Sequence, residues 1–568
     1  MSFLIHFVTS FTWFTVFETI LFFTNVLVLF RYGLPFRKPH RLLDFLPSVA
    51  LLIAIVSFLY GDTTLLAFVF YAVTLIVFLC TIKSVFKRSK YEPRFKIGRA
   101  LFCVAGIIVL LSTPTYAGEL RYNPVSEFSE MSYSQAFVQL NSRLSREYPF
   151  GEWKQVNWQG LQEKYETLFK KAEEEKNKDL YYHTLREYLF SFRDGHIKIS
   201  NENLYEDNPV FKREAGGGFG ISTIRLDNGK VLVNLVVEGS PAEQNGIKVG
   251  TEIITWNGKA AKDAYQQATW SENPMATEGD VNYNRGRFMV RASIGKEIPV
   301  EYQNVDNRKR TKVILKAYDD NYETLKQTRV KWKKEDNPID AEIVGDGYGY
   351  LKIRYFLPSE TVPEPIEKVK EILNWFHSQN IKGLMIDVRD NPGGSDDLVA
   401  AMAGFFVPEE TIYEHVSYYN RVTGSFELNP FETRKVLPTT PHYDGNIVII
   451  MNNKTTSSGE GLPILLKGLP HVKNVGFTTT NGSFGVVSSP IEAEMPDGYI
   501  VRFPDGRSLN QDYLIQGDSN GQGQGGGVPD VFIPLNEETF HAKYVQGKDV
   551  ELEYALKALE AMPVASTR

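Results

Sequence analysis

The sequence predicts a multidomain chain: an α-helical membrane anchor, a helical amino-terminal subdomain, a β-rich domain and an α/β core, at 1–117, 118–205, 206–320 and 321–568. Three observations predict it. A chain of 568 residues exceeds what one hydrophobic core organises. Phe, Leu, Val and Ile crowd the stretch before Ala117, whereas the rest is mixed and charged. From Tyr348 onward, short apolar runs alternate with amphipathic ones, the pattern of a βα-layered core.

The anchor comes first. Four apolar runs, Trp13–Phe30, Leu43–Tyr60, Thr63–Ile82 and Ile97–Ala117, approach the roughly 20 residues that cross a bilayer core of about 30 Å. Arg99 and Pro114 weaken the fourth, and Glu18 and Asp44 need an interface or partners. The first loop carries Arg31, Arg37, Lys38 and Arg41; the third carries Lys83, Lys87, Arg88, Lys90, Arg94, Lys96 and Arg99; the second, at Gly61-Asp62, has no cation. The positive-inside rule then places the amino terminus and everything after Ala117 outside, a multi-pass protein of a plasma membrane with its bulk extracytoplasmic or periplasmic and a lipid bilayer as partner. A fourth run lying flat at the interface would leave the soluble part in the cytoplasm. Thr115-Tyr116-Ala117-Gly118 also reads as a signal-peptidase-like site, but a cleavable signal comes first in a chain.

Charge and cysteine content exclude several classes. A net charge of −6 gives no basic footprint for nucleic acid. Cys80 and Cys103 both lie in the apolar runs, so the remainder has no disulfide, no Cys-based metal site and no Cys nucleophile. Neither a metal nor a cofactor is expected.

The segment from Tyr122 to Arg193 is helical in pattern: Phe137, Leu140 and Leu144 repeat at three and four, Leu161, Tyr165 and Leu168 at four and three. The Lys and Glu residues of 170–178 fill a solvated face or turn. Phe211 to about Ala317 is β-rich. Its Gly216-Gly217-Gly218-Phe219-Gly220-Ile221 run precedes a strand and is followed by Ser240-Pro241-Ala242, Gly246-Ile247-Lys248-Val249-Gly250 and Asn257-Gly258. This resembles a PDZ domain. In such a module, N–H groups near Gly218, Phe219 and Gly220 capture a carboxylate, and the strand from Ile221 adds an extended peptide.

Two segments of the last region carry chemistry. Asp387-Val388-Arg389-Asp390-Asn391-Pro392-Gly393-Gly394 follows the apolar strand Leu384-Met385-Ile386, and its glycine pair frees backbone N–H groups in the way an oxyanion hole requires. Asn452 to Glu460, with Ser457-Ser458, follows a second strand and opens a helix, exposing a hydroxyl beside N–H donors. Either serine would serve equally well as an ordinary helix cap. Together the segments resemble the carboxy-terminal processing peptidases, or tail-specific proteases, and the related tricorn-like peptidases. The resemblance implies an α/β core of the ClpP/crotonase kind, Ser457 as nucleophile, and oxyanion donors from Ser458 and one of Gly393 or Gly394.

Many processing peptidases activate the serine with a lysine in a Thr-x-Gly-Lys-like turn. Here that turn reads Thr480-Asn481-Gly482-Ser483, and no lysine occurs between Lys473 and Lys543. Tricorn-like members instead use a histidine in an Asp-Gly-His turn, and Asp194-Gly195-His196 is similar to it, so the resemblance makes His196 the base; an imidazole with a pKa near 6.5 suits that role. The place of the third member holds Ile515-Gln516-Gly517-Asp518. Gln516 would orient the imidazole through its amide, Asp518 through a carboxylate.

The implied function is a membrane-anchored serine endopeptidase that cuts proteins or peptides with accessible carboxy-terminal tails, presented by the PDZ module. Two alternatives stand beside it: a tail-binding scaffold or sensor with an impaired site, and a membrane protein whose spans do the main work.

Overall fold

In the computed structural model, the described residues are 14–33, 45–59, 65–86, 93–114, 125–206, 208–305, 309–329, 336–420 and 423–563. They form two units, Met1–Ser126 with Tyr418–Pro430, and Glu127–Ser417 with Phe431–Arg568.

The four apolar runs of the first unit become helices α1 (Val16–Gly33), α2 (Leu46–Leu59), α3 (Leu65–Phe86) and α4 (Pro93–Ser112). Leu21, Leu29, Ala50, Phe70 and Leu110 pack in a shared seam, and Asn25 Nδ2 donates to Thr74 Oγ1 at 2.8 Å within it. The other faces are also apolar: Phe23, Leu27, Leu52, Ile55, Leu79 and Ile108 are exposed.

Among the described residues, no helix is long and apolar enough to cross a membrane. The four spans expected from the sequence are therefore not met in that form. Three of the helices show why: α2 has only 14 residues, Glu18 and Asn25 interrupt α1, and Arg94, Lys96 and Arg99 occupy the start of α4. The basic loop residues Arg37, Lys38, Arg41, Lys87, Arg88 and Lys90, the Gly61-Asp62 turn and the Thr115–Gly118 segment lie outside the described residues.

The second unit opens with α5 (Tyr133–Glu147), α6 (Trp158–Glu174) and α7 (Lys178–Phe190), each begun by a Ser or Asn side chain that takes a first-turn N–H. Phe137, Tyr165, Phe169 and Tyr188 close their shared core. The chain then passes through the Asp194-Gly195-His196 turn into β1 (Lys198–Ile199).

The β-rich region contains β2 (Gly217–Gly218), β3 (Ile221–Arg225), β4 (Val231–Val236), β5 (Glu252–Trp256), helix α8 (Glu278–Phe288), β6 (Glu297–Gln303) and β7 (Arg310–Lys316). Its sheet runs in the order β7-β6-β5-β4-β3, with Lys259–Ala260 paired to β5. β3 is thus an edge, but α8 lies against it: Thr223 Oγ1 donates to Gly286 O at 2.8 Å, and a Cβ on Gly286 would stand 1.9 Å from Thr223 O.

The core is a six-stranded sheet. In chain order its strands are β8 (Ile339–Val344), β9 (Tyr348–Ile353), β10 (Leu384–Asp387), β11 (Ile447–Ile450), β12 (Val472–Gly476) and β13 (Val531–Phe532), which is also their order in space. β8 joins antiparallel and the rest are parallel. Leu384–Asp387 and Ile447–Ile450 are buried throughout, as central parallel strands must be. Alternation divides them between two faces. Leu384, Ile386, Ile447 and Ile449 pack with α9 (Pro365–Ser378) through Val369, Leu373 and Phe376. Met385, Val448 and Ile450 face the last helix, α10 (Val550–Glu560), at Ala555 and Leu559. Each such side chain contributes about 2 kcal/mol of apolar burial. The register sets Asp387 beside Ile450, so the loops after β10 and β11 emerge together at the carboxyl edge of the sheet, where α/β folds place their sites.

Candidate active site

Those two loops are tied together. Thr455 Oγ1 donates to Val388 O at 2.8 Å, and Thr456 N–H donates to Asn391 O at 2.9 Å. Ser457 follows at φ 55°, left-handed backbone that costs a serine about 1–2 kcal/mol and holds its side chain out of the turn. The 3₁₀ turn Ser457–Glu460 begins there. Gly393 is pressed against it: a Cβ at that glycine would lie 2.9 Å from Ser457 Cβ and 3.0 Å from Ser458 N.

The two candidate oxyanion glycines differ. Gly393 N–H is taken by Asn391 Oδ1 at 2.8 Å. Gly394 N–H and Ser458 N–H make no hydrogen bond among the described residues, although Ser458 Oγ donates to Gly394 O at 3.2 Å. Two unspent donors therefore flank Ser457, from Gly394 and Ser458.

The turn that carries His196 is tied to the Ser457 segment through Ser483. Gly195 N–H donates to Ser483 Oγ at 2.9 Å, and Ser457 N–H donates to Ser483 O at 3.1 Å. Among the described residues no hydrogen bond joins His196 to Ser457, and the buried His196 Nδ1 has no hydrogen-bond partner. Burial, opposed by the nearby Asp194 carboxylate, holds the imidazole below its usual pKa and so neutral.

Gln516 and Asp518 each spend part of their side chain on neighbouring backbone or hydroxyl groups. Gln516 Nε2 donates to Tyr413 O at 2.9 Å and Ser508 Oγ at 3.0 Å. Asp518 Oδ1 accepts Phe484 N–H at 3.1 Å, and its Oδ2 is buried and unpartnered. Burial, with Asp194 adding to it, pushes the Asp518 carboxyl well above the carboxylate range. The carboxylate beside His196 is Asp194: its Oδ1 lies 3.9 Å from Nδ1 and accepts the His196 N–H at 2.9 Å, while Oδ2 accepts Tyr148 O–H at 2.8 Å. The signal was present in the sequence, since an Asp two residues before a turn histidine caps that turn.

Two further buried groups brace these loops. Lys154 is buried, and its Nζ donates to Arg193 O at 3.1 Å and Ser519 O at 2.6 Å, bracing the histidine turn. Glu460 is fully buried and accepts the Gly482 and Ser483 N–H groups at 3.0 Å each, together with the Thr480 hydroxyl. Its burial pushes the carboxyl up to about 7. Acidic residues at such depth give no periodic signal in a sequence.

The loop expected to bind a peptide carries several internal contacts. Gly218 N–H donates to Tyr318 O at 3.0 Å, Gly217–Gly218 pairs with Arg291–Ala292, and Phe219 and Ile221 are core residues. Gly220 adopts φ 81° against Ser240. A cavity of about 1640 Å³ opens between α8, β3 and the core strands, lined by Arg225, Arg287, Lys352, Arg389 and Lys454 among others. Ser457 and His196 do not line it.

A serine on left-handed backbone at a strand-to-helix turn, with unspent N–H donors on both sides, is a geometry from which a hydroxyl can attack a carbonyl carbon and have the resulting oxyanion held. Residues 347–525 match the model of Peptidase family S41, and the carboxy-terminal processing peptidases of that family are serine peptidases. The curated relatives agree. The carboxy-terminal processing protease CtpA of Bacillus subtilis (strain 168) is 24% identical over 289 residues, 50% of this chain and 50% of the relative. CtpB of the same organism is 25% identical over 282 residues, 49% and 48% of the two chains. The chain thus spans about half the length of these relatives. Among solved structures, mature CPAF complexed with lactacystin superposes with a TM-score of 0.54 at 14% identity, covering 76% of this chain and 97% of that one. At that identity the likeness is one of fold.

Proposed function

We propose that the chain is a membrane-anchored serine endopeptidase acting on the carboxy-terminal tails of exported or extracytoplasmic proteins. The observation that carries the reading is Ser457 at φ 55° between the free N–H groups of Gly394 and Ser458. His196 removes the Ser457 proton as Oγ bonds to the peptide carbonyl carbon. The oxyanion rests on the two N–H groups, worth about 3 kcal/mol each. The C–N bond then breaks, the imidazolium returns its proton to the leaving amine, and water hydrolyses the acyl-enzyme. Asp194 is the carboxylate that orients the imidazole; a small ring rotation closes the 3.9 Å gap, since hydrogen bonds in empty sites tighten on substrate binding.

The all-round apolar surface of α1–α4 supports the anchor: exposed Phe23, Leu27, Leu52 and Ile55 have no stable place in water. The β-rich region, at 206–320, supports a PDZ-type module by its strand order and its glycine-led edge strand. With α8 seated on β3, that edge is closed until α8 moves.

The test is labelling of full-length chain with a fluorophosphonate, which reacts only with an activated serine. Wild type is expected to label and to cleave tail peptides, and Ser457→Ala to do neither while keeping its fold. Proteolysis that persists in Ser457→Ala overturns the nucleophile. A folded wild type that never labels favours the tail-binding scaffold.

A further inference from the structure

Ser483 occupies a point where three parts of the site meet. It is fully buried. Its carbonyl accepts the Ser457 N–H at 3.1 Å, its N–H donates to Glu460 Oε1 at 3.0 Å, and its hydroxyl oxygen accepts the Gly195 N–H at 2.9 Å. The first two contacts are main-chain and would survive most substitutions. Only the third depends on the residue being a serine, and it is the one that reaches the histidine turn.

The fit is tight on both sides. A Cβ at Gly195 would come within 2.9 Å of Ser483 Oγ and 3.2 Å of Asn481 Oδ1, so the turn approaches this closely only because Gly195 has no side chain. Lys154 and Ser519 hold the same turn by the Arg193 carbonyl, which fixes its base. Tyr148 and Asp194 fix its carboxylate end. The hydrogen bond at Ser483 Oγ links the histidine turn directly to the residue whose carbonyl holds the Ser457 N–H.

We propose that Ser483 is a positioning residue that sets the distance between His196 and Ser457 through the Gly195 N–H. The proposal rests on the peptidase reading above for its catalytic consequence, not for the contact itself. Nucleophile and base stand on segments far apart in sequence, and proton transfer needs them within about 3 Å of each other. A misplacement of about 1 Å costs on the order of 100-fold in rate. Ser483→Ala removes the acceptor, leaves the Gly195 N–H unpaired, and leaves both main-chain contacts in place.

The experiment uses the full chain as wild type, Ser483→Ala and Ser483→Thr. It measures fluorophosphonate labelling rate, kcat and KM on one tail peptide, and amide hydrogen exchange of the segment holding Gly195. Ser483→Ala is expected to expose the Gly195 amide to exchange and to lower labelling and kcat at least tenfold, with KM within twofold. Ser483→Thr, which keeps the hydroxyl, is expected to restore most of both. Unchanged exchange, or labelling and kcat within twofold of wild type, overturns the proposal, as does a loss confined to KM. If the wild type itself neither labels nor cleaves, the peptidase reading falls, and exchange alone decides Ser483: a rise at Gly195 supports the docking role and no rise overturns it.

Discussion

Asp194 Oδ1 accepts the main-chain N–H of His196 at 2.9 Å while standing 3.9 Å from Nδ1 of the same residue. One carboxylate oxygen thus shapes the turn and faces the ring. In Asp194→Asn the amide oxygen still caps the turn, but the charge that favours the imidazolium is gone. We expect kcat/KM at neutral pH to fall on the order of 10²- to 10⁴-fold, with thermal stability little changed. The pH profile gives the sign. Burial holds the His196 pKa down and Asp194 opposes that. The base works only when neutral, so activity is lost as pH falls through that pKa, with the wild-type acid limb below 6.5. Asp194→Asn moves the limb lower still. An unmoved limb would show that Asp194 does not face the ring.

Gly393 tests the nucleophile from the opposite side. At φ 104° its N–H is already committed to Asn391, so its contribution is space. Gly393→Ala forces left-handed backbone on an alanine and pushes a methyl to 2.9 Å from Ser457 Cβ. The expected outcome is a stability loss of about 1–3 kcal/mol, measured by urea unfolding, and loss of fluorophosphonate labelling at temperatures where the variant is still folded. A variant that labels at the wild-type rate contradicts the placement of Ser457.

How much of this was legible in the sequence depends on the kind of signal each residue leaves. Unbroken apolar runs such as Ile447–Ile450 read as buried parallel strands because a strand covered on both faces has no polar register. The glycine pair at 393–394 was legible because positive φ restricts residue choice, and the Asp-Gly-His turn because Gly195 leaves a Cβ no room against Ser483. Spacing alone left the choice between Gln516 and Asp518 open, because a loop with Gly517 at φ 77° sets both side chains by contacts distant in sequence, the Gln516 Nε2 on Tyr413 O and the Asp518 Oδ1 on the Phe484 N–H. Ser483 and Lys154 were illegible for a different reason. Their roles come from contacts 288 and 365 residues away in sequence, which no local pattern encodes. The four apolar runs located the helices, but among the described residues none is long and apolar enough to cross a membrane.

Glu460 should make stability depend on pH in an unusual direction. Its carboxyl, pushed up to about 7 by burial, has a folded pKa above its ordinary 4.5. Between those values the folded state binds more protons than the unfolded one, so this group's contribution is present below pH 4.5 and is lost as pH rises through 7. The span corresponds to roughly 3 kcal/mol. Asp280, Glu414 and Asp505 are raised as well, so the measurement is a difference: unfolding free energy of wild type minus Glu460→Gln across pH 4.5 to 8. That difference is expected to shrink with rising pH by about 2–3 kcal/mol. A difference that is flat, or grows, removes Glu460 as the source.

The closed edge at β3 yields the last prediction. Edge strands bind extended peptides only if their N–H and C=O groups are reachable, and here Gly286 lets the α8 backbone lie directly over Thr223 O. A methyl at Gly286 would stand 1.9 Å from that oxygen, which no side-chain rotation relieves. In Gly286→Ala, α8 must therefore lift off β3 or the region must unfold. Two measurements separate these outcomes: hydrogen exchange of the 221–225 segment, and affinity for a peptide with a free apolar carboxyl terminus. Lifting is expected to raise exchange along β3 and to tighten peptide binding several-fold, at a stability cost of about 1–3 kcal/mol. If the edge opens and the peptide still does not bind, β3 is not the receptor for tails.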